Sequence, residues 1–461
     1  MDYSAANVSL WNAMIQMGII TIMILIANFL KKKIAFIRKS MIPTAVLAGF
    51  ILLFAKSVGI VNLDTTLMET LTYHGIAIGF IALTLRIPDA TNSDKGNLTG
   101  LKSGAVIVSS YMIQAISGLV ITLCLGYTFM PGIFKASGIL LPMGFGQGPG
   151  QANNIGSSYE SLGMAGGRSF GLAIAAAGYL CACIVGVFYI NFLTKKNKIE
   201  KIDHEKLTEN VGVSSFQHEG EIPVAESIDR LSIQICLVFV IYLITFLVIK
   251  GITGGLTAFA PGVGKTVNSL FWGFNFIFGS AFAILARTIL KSLRNIKWMQ
   301  YQYQNNYLLS RISGLAFDIM IVAGVGSIEF EDLVGLWVPF VLLVIAGAVL
   351  TLLHLSYVCK RAYKDYYYEG LVSMYGMMTG TISSGVLLLR ELDPLTKTPA
   401  ANNLVVGSSF GILLSAPILV LVSMAPKSDL MTFVVLGICI VYYLILLGVI
   451  HIKPKKTGKV K

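Results

Sequence analysis

The chain has 461 residues, of which 55% are hydrophobic and 13% are charged, and its formal net charge is +12. A soluble globular domain carries about 25% charged residues, so this composition excludes an ordinary soluble protein. The Lys and Arg residues cluster just outside apolar runs on alternate loops, where they set membrane orientation. The positive charge is therefore explained by membrane orientation and gives no evidence for a nucleic-acid partner.

The apolar residues fall in runs of about 20, the length that crosses the hydrocarbon core of a bilayer as a helix. We therefore predict an all-α polytopic membrane protein with about eleven spans. In chain order the predicted spans are 8–30, 41–60, 71–85, 103–125, 169–193, 231–250, 267–286, 307–325, 333–358, 402–424 and 431–452.

A glycine-rich and amide-rich stretch, residues 141–160, lies between the fourth and fifth spans. Glycine costs about 1 kcal/mol and proline about 3 kcal/mol in a helix interior relative to alanine, so a continuous helix is not expected here. In lipid, broken backbone survives only inside protein or along a water-filled cavity. The stretch is therefore predicted to be a re-entrant loop that lines a path for a solute.

A second stretch, residues 369–389, is also interrupted by glycines and is rich in Ser and Thr. It lies after the fourth span of the second half, as the first stretch does in the first half. The positive-inside rule is satisfied when the N-terminus is outside and the C-terminus is cytoplasmic. It also requires the first stretch to enter the membrane from outside and return there, and the second to enter from inside and return there. Each half then has five spans, an odd number, which predicts an inverted repeat with solute binding near the midplane.

The predicted organisation follows from this repeat. Residues 1–193 form the first five-span repeat with its re-entrant loop, and residues 194–230 form a cytoplasmic linker. Residues 231–424 form the inverted second repeat with the second loop, and residues 425–461 add one more span and a basic cytoplasmic tail.

The order of these elements resembles that of the bacterial sodium:glutamate symporters over almost the whole chain, to about Met424. Gly144-Phe-Gly146-Gln-Gly148 stands where that family commonly has a Gly-Gly-x-Gly-like sequence, and Gly376-Met-Met-Thr-Gly380-Thr381 holds the matching place in the second half. The resemblance implies sodium-coupled uptake of an acidic amino acid across a bacterial inner membrane, a homodimer and an elevator-like motion. Phe145 and Gln147 replace the Gly and His of better-known members, which leaves the transport class intact and the identity of the substrate open.

A carboxylate substrate needs hydrogen-bond donors, which glycine-rich backbone at a half-helix N-terminus supplies. Arg311, near the end of an apolar span, could meet a second carboxylate or could be an interfacial anchor. For the glycines the alternative is close helix packing through small-xxx-small pairs. The residues that we assign to substrate binding are Gly146, Gln147, Gly148, Gly150, Gln151, Asn153, Asn154 and Arg311.

Sodium needs oxygen ligands, which hydroxyl groups and freed carbonyls supply. Asp318 is a carboxylate near the middle of an apolar span, and such acids are costly enough to suggest a function. Asp318 could ligate sodium or pair with a substrate amine. The alternatives are a structural salt bridge for this acid and, for the hydroxyls, bonds back to the preceding helical turn. The residues that we assign to sodium are Asp318, Thr379, Gly380, Thr381, Ser383 and Ser384.

Two other classes of protein compete with the sodium-coupled transporter. A passive channel would use the paired loops as a filter and would never accumulate solute. An intramembrane enzyme would need a nucleophile with its base or a pair of acids, and Asp318 has no obvious intramembrane acidic partner, so we expect no enzyme. Phosphate-loop and zinc-helix sequences are absent, so direct ATP coupling within this chain is unsupported. We expect no cofactor, with sodium as the coupling ion. Proton coupling and a different carboxylate substrate stay open.

Overall fold

The computed structural model describes residues 3–4, 7–39, 42–87, 93–196, 229–259, 268, 271–272, 275–389, 391–393 and 398–452. Throughout this part of the chain the regular structure is helical, without β-strands. The predicted all-α fold class is thereby confirmed. Most of the predicted linker 194–230 and the basic tail after Ile452 lie outside the described residues.

The chain forms long helices and several shorter ones. In chain order they are α1 (Val8–Lys33), α2 (Ala35–Lys39), α3 (Thr44–Ser57), α4 (Thr65–Leu85), α5 (Ser93–Tyr127), α6 (Leu140–Phe145), α7 (Pro149–Glu160), α8 (Gly167–Lys195), α9 (Arg230–Phe259), α10 (Asn275–Asn295), α11 (Asn306–Gly326), α12 (Trp337–Ala362), α13 (Tyr367–Thr379), α14 (Ile382–Leu389), α15 (Ala400–Leu414), α16 (Ala416–Met424) and α17 (Asp429–His451).

Nine helices in the described part of the chain are long and apolar enough to cross a membrane: α1, α4, α5, α8, α9, α10, α11, α12 and α17. They account for nine of the eleven predicted spans and are compatible with a multi-pass membrane protein. The other two predicted spans, 41–60 and 402–424, coincide with the shorter helix α3 and with the pair α15 and α16.

The chain packs as two compact units, and each unit takes helices from both halves of the sequence. The first unit comprises Met1–Asn28, Thr44–Pro88 and Ile202–Ser327. The second comprises Phe29–Pro43, Asp89–Lys201 and Ile328–Lys461. The boundaries of the compact units thus do not coincide with the two halves of the sequence. The division into two inverted repeats stays a prediction.

The first unit is built on close contacts between helices at glycine positions. α4 packs against α10 and α11, and α3 packs against α11. A methyl group on Gly49 of α3 would lie 2.8 Å from the Cβ atom of Val325 of α11, and one on Gly279 of α10 would lie 2.8 Å from Ile81 of α4. These glycines let the helix backbones approach closely, as small residues do between membrane helices.

The second unit is organised around α5, which packs against α6, α12, α15 and α17. Its contacts also depend on small residues: a methyl group on Gly104 would lie 2.6 Å from Phe410 of α15. α12 and α17 are tied to it by a buried polar chain, in which His354 contacts the Ser109 hydroxyl at 3.0 Å and the Tyr443 hydroxyl at 3.1 Å. These two contacts give hydrogen-bond partners to an imidazole that would be costly to bury alone. The last helix, α17, is therefore an integral part of the second unit.

The close approach of α3 to α11 predicts the effect of enlarging its glycine. We expect Gly49→Ala to lower the apparent melting temperature of the purified full-length protein in detergent, because overpacking of a tight contact costs about 1–3 kcal/mol. Val325 is β-branched, and the clash is with its Cβ atom, so rotation of the side chain cannot relieve it.

The matched control is Gly314→Ala in α11 of the same unit. None of the described residues places a heavy atom within 4 Å of the position of the added methyl group. We expect an unchanged or higher melting temperature, because alanine is better than glycine by about 1 kcal/mol in a helix interior. Equal melting temperatures for the two variants would contradict the packing of α3 against α11.

Candidate functional site

The first predicted loop is a break between two short helices of the second unit. α6 ends at Phe145, residues 146–148 are not helical, and α7 starts at Pro149. Gly148 has φ +85° and ψ −175°, a backbone conformation that is essentially restricted to glycine. Proline is favoured at the first helical position because its missing N–H would have no intrahelical acceptor there. The helix is interrupted as the glycine and proline content predicts, and entry of the loop from the outer face stays a prediction.

The second predicted loop has the same form. α13 ends at Thr379, the chain breaks at Gly380 and Thr381, and α14 starts at the next residue. The hydroxyl of Thr379 donates to Tyr375 O at 2.8 Å, one turn back in its own helix. The Thr379 hydroxyl thus forms the bond to the preceding helical turn that was the alternative to sodium binding. Its oxygen keeps lone pairs that could still coordinate an ion. The side chain of Ser383 lies outside the described residues.

The two breaks lie against each other within the second unit. A methyl group on Gly148 would be 3.7 Å from Thr381 Cγ2, 3.8 Å from Gly380 O and 3.7 Å from the Tyr179 hydroxyl of α8. These separations are ordinary van der Waals contact for the added methyl group, so the two tips are neighbours with room for about one methyl group between them. The structure thus brings together the parts of the two loops that were assigned to substrate and to sodium.

The contact places the N-termini of α7 and α14 beside each other. Each helix N-terminus carries about half a positive charge and backbone N–H groups without intrahelical acceptors. In α7 these groups include the amides of Gly150 and Gln151, since Pro149 has none. Together the two ends form a region of positive potential that contains no cationic side chain of either loop. Such a region suits an anion without binding it as strongly as lysine or arginine would.

Several buried side chains at these breaks carry polar atoms that no neighbour satisfies. Within the described parts of the two loops and of α5, the atoms without a hydrogen-bond partner are both amide atoms of Gln151, Asn153 Oδ1, Thr381 Oγ1, Ser384 Oγ and Gln114 Oε1. Burying a polar group without a partner costs about 1–3 kcal/mol. The concentration of such atoms in one place indicates that water or a ligand completes their hydrogen bonds.

Gln151 is the strongest of these observations. Its side chain is 0% exposed, and among the described residues neither end of its amide finds a partner. Gln234 of the first unit is 1% exposed, but its Nε2 donates to Tyr303 O at 2.7 Å and its Oε1 accepts from Asn305 N at 3.2 Å. This fold can therefore supply hydrogen-bond partners to a buried glutamine side chain. The lack of such partners for the Gln151 amide is a property of the site.

The remaining residues assigned to the first loop are close to the break. Gly146 and Gly150 are buried on either side of it, Gln147 is half-buried within it, and Asn153 and Asn154 are buried one turn into α7. The glycines also serve packing, since a methyl group on Gly146 would overlap the ring of Tyr111. Close packing and ligand binding are therefore both present in this stretch.

Arg311 and Asp318 belong to the first unit, whereas both loops belong to the second. Both residues are on an exposed face of α11, with Leu315 between them at 61% exposure. The Arg311 guanidinium stacks over the Tyr307 ring at 4.9 Å from its centroid, as a cation anchored near an interface does. The structure does not group these two residues with the loops, and their assignment to substrate and sodium stays a prediction.

Three residues of the site were not predicted from the sequence. Gln114 of α5 donates from its Nε2 atom to Met378 O at 2.9 Å, just before the second break. Tyr111 of α5 contacts Gly146, and Tyr179 of α8 contacts Gly148 and Gly380. Asp318 was singled out because a polar side chain in the middle of an apolar span is unusual. The same criterion would have identified Gln114. Aromatic residues in apolar spans carry no comparable signal.

In comparisons with known proteins, the sequence matched no protein-family model and no curated protein. The function therefore has to be inferred from the site itself. In the described part of the chain there is no group of three or more His, Cys, Asp or Glu residues that could hold a metal ion. The polar groups at the breaks are neutral amides, hydroxyls and backbone groups, which can bind carboxylates, ammonium groups and alkali cations.

The unsatisfied amide of Gln151 predicts opposite effects on stability and on binding. We expect Gln151→Met to raise the apparent melting temperature of the ligand-free protein, because it removes a desolvation cost of about 1–3 kcal/mol at nearly constant volume. The same substitution should weaken ligand binding. The measurement is thermal unfolding of the full-length protein in detergent, with and without candidate carboxylates.

Gln234→Met is the matched control, since it removes an amide of the same size whose two ends are bonded. We expect it to lower the melting temperature, because the carbonyl of Tyr303 and the amide of Asn305 lose their partner. If Gln151→Met also lowered the melting temperature of the ligand-free protein, the amide would have a structural role and the site would lose its main support.

Proposed function

We propose that this protein is a secondary active transporter that couples the uptake of a small organic anion to sodium. The observation that carries the proposal is the contact between two broken helices whose buried polar groups lack protein partners in the described structure. In a protein rich in membrane-length helices, such breaks are tolerated where they line a cavity, and transporters bind solutes at discontinuous helices of this kind. The site serves binding, and its composition offers no nucleophile paired with a base.

The anion would lie at the adjoining N-termini of α7 and α14. Two half charges and a set of neutral amides can hold a carboxylate without a compensating cation. Gln151 and Asn153 would supply side-chain contacts that orient it. The resemblance to the bacterial sodium:glutamate symporters supports an acidic amino acid, and Gln147 in the place of the usual histidine leaves another dicarboxylate as the alternative.

The coupling ion would lie at the second break. Thr381 Oγ1 and Ser384 Oγ have no partner among the described residues, and a methyl group on Gly380 would be 2.8 Å from the Ser384 hydroxyl. Freed carbonyls and C-terminal ends of half-helices coordinate sodium in transporters with broken helices. Proton coupling is the alternative, and it requires an acid or base that titrates during transport.

The packing of the first unit supports an inverted repeat. If the second half repeats the first, α3 corresponds to α10 and α4 corresponds to α11. The contact of Gly49 in α3 with Val325 in α11 then has its counterpart in the contact of Gly279 in α10 with Ile81 in α4. Exchange of partners in this way is expected of two copies related by a two-fold axis. Both loops belong to the second unit, with one from each half of the sequence.

The rest of the proposal follows from the family resemblance and the charge pattern. It consists of a bacterial inner-membrane location with the N-terminus outside, a homodimer, and an elevator-like motion of the part that carries the substrate. The second unit, which contains both loops, would be the moving part.

Uptake into proteoliposomes tests the function. We expect labelled L-glutamate, L-aspartate or a related dicarboxylate to accumulate against its gradient when sodium is outside, and to show counterflow after preloading. Replacement of sodium by choline should abolish accumulation. Gln151→Met should reduce uptake by about tenfold or more, since hydrogen bonds to charged groups contribute about 1.5–3 kcal/mol. Flux that only equilibrates the label would contradict the proposal and would indicate a passive channel.

The assignment of Asp318 to the coupling ion has its own test. We expect Asp318→Asn to raise the sodium concentration that half-saturates uptake, because a full negative charge that attracts sodium is removed. Leu315→Ala on the same exposed face is the matched control and should leave the sodium dependence unchanged. Full uptake with unchanged sodium dependence in Asp318→Asn would remove this carboxylate from the mechanism.

A further inference from the structure

One residue of the second unit, Gln114, has its side-chain amide next to both breaks. Gln114 lies in the middle of α5 and is 1% exposed. Its Nε2 atom donates to Met378 O at 2.9 Å, in the last turn of α13, and to the Thr351 hydroxyl of α12 at 2.9 Å. A carbonyl can only accept, so the nitrogen of the amide must be the atom that faces Met378. The orientation of the amide is therefore fixed by its partners.

The oxygen of the same amide is directed to the first break. A methyl group on Gly146 would lie 3.0 Å from Gln114 Oε1, so the absence of a side chain there leaves this oxygen facing the end of α6. No group in the described structure donates a hydrogen bond to it. Two backbone donors at the end of α6 are already used, because Gly146 N and Gln147 N both donate to Pro142 O at 3.1 Å.

The end of α6, which this oxygen faces, adds further acceptors. The last carbonyls of a helix have no intrahelical donors, and at the end of α6 the chain continues into Pro149, which has no N–H. The C-terminal end of a helix also carries about half a negative charge. A buried amide oxygen added to such an end is electrostatically unfavourable unless a positive group is bound there.

We propose that Gln114 Oε1 and the C-terminal end of α6 bind a cationic group at the first break. This inference rests on the proposed transport function and deepens it by adding a ligand and a second place for positive charge. The chemistry fits two sources, a sodium ion or the ammonium group of an amino-acid substrate. Because the other end of the same amide holds Met378 beside the second break, occupancy of the first break is linked to the position of the second.

The experiment measures thermal unfolding of the full-length protein in detergent at pH 8 over a range of sodium chloride concentrations. Choline chloride keeps the ionic strength constant, and no substrate is present. Two further series in choline contain L-glutamate or glutarate, which has the same two carboxylates without the ammonium group. Stabilisation by sodium alone identifies the ion as the occupant. Stabilisation by L-glutamate that exceeds that by glutarate identifies the ammonium group.

The decisive variant is Gln114→Met, which removes the oxygen at nearly constant size. It should raise the half-saturating concentration of the cationic occupant by about tenfold or more, the effect of losing one bond of about 1.5–3 kcal/mol to a charged group. Thr351→Val is the matched control, because it removes a partner of Nε2 and leaves Oε1 in place. It should keep the half-saturating concentration within about threefold of the unsubstituted protein's value, where a tenfold change corresponds to about 1.4 kcal/mol.

Gln114→Glu provides a second readout if the methionine variant does not fold. A carboxylate in the same position should lower the half-saturating sodium concentration, because the ligand gains a full negative charge. Unchanged half-saturation in both Gln114 variants, or no stabilisation by sodium together with equal effects of L-glutamate and glutarate, would overturn the inference. Sodium-driven uptake could persist in that case, so failure of the inference is distinguishable from failure of the proposed function.

Discussion

The structure depends on one constraint, which is that backbone and side-chain polar groups away from water must have partners. The long helices meet it internally, because each satisfies its own backbone. The two breaks do not meet it in this way, since each exposes the ends of two short helices in the interior of the second unit. The fold brings the breaks together, so the unsatisfied groups accumulate at one place. That concentration is the basis of the proposed solute site.

Glycine serves two separate purposes in this arrangement. In the first unit it allows helices to approach, as at Gly49 and Gly279, where a methyl group would meet a neighbouring side chain at 2.8 Å. At Gly148 the surrounding space would admit a methyl group, but φ is +85°, so the requirement is conformational. The same residue type therefore serves close packing in both units and, at Gly148, a backbone conformation that other residues rarely adopt.

The helices and the interruptions could be predicted from the sequence, because apolar length and glycine or proline content act locally. The assignment of Gln151, Asn153, Thr381 and Ser384 to the site also rested on local pattern, and the structure places polar atoms of all four without described partners. The partition of helices into two units could not be predicted, since it depends on which faces pack. For the same reason Arg311 and Asp318 were grouped with the loops on sequence grounds, although they belong to the first unit.

The neutrality of the groups at the breaks has an electrical consequence. Moving one elementary charge through a membrane potential of 100 mV involves about 2.3 kcal/mol. Amides such as Gln114 and Gln151 and hydroxyls such as Ser384 carry no formal charge, so in the proposed transporter the empty site would cross the field without electrical work from these groups. Voltage would then act on the step in which ions and solute are bound, and the resting potential would not oppose the return of the empty site.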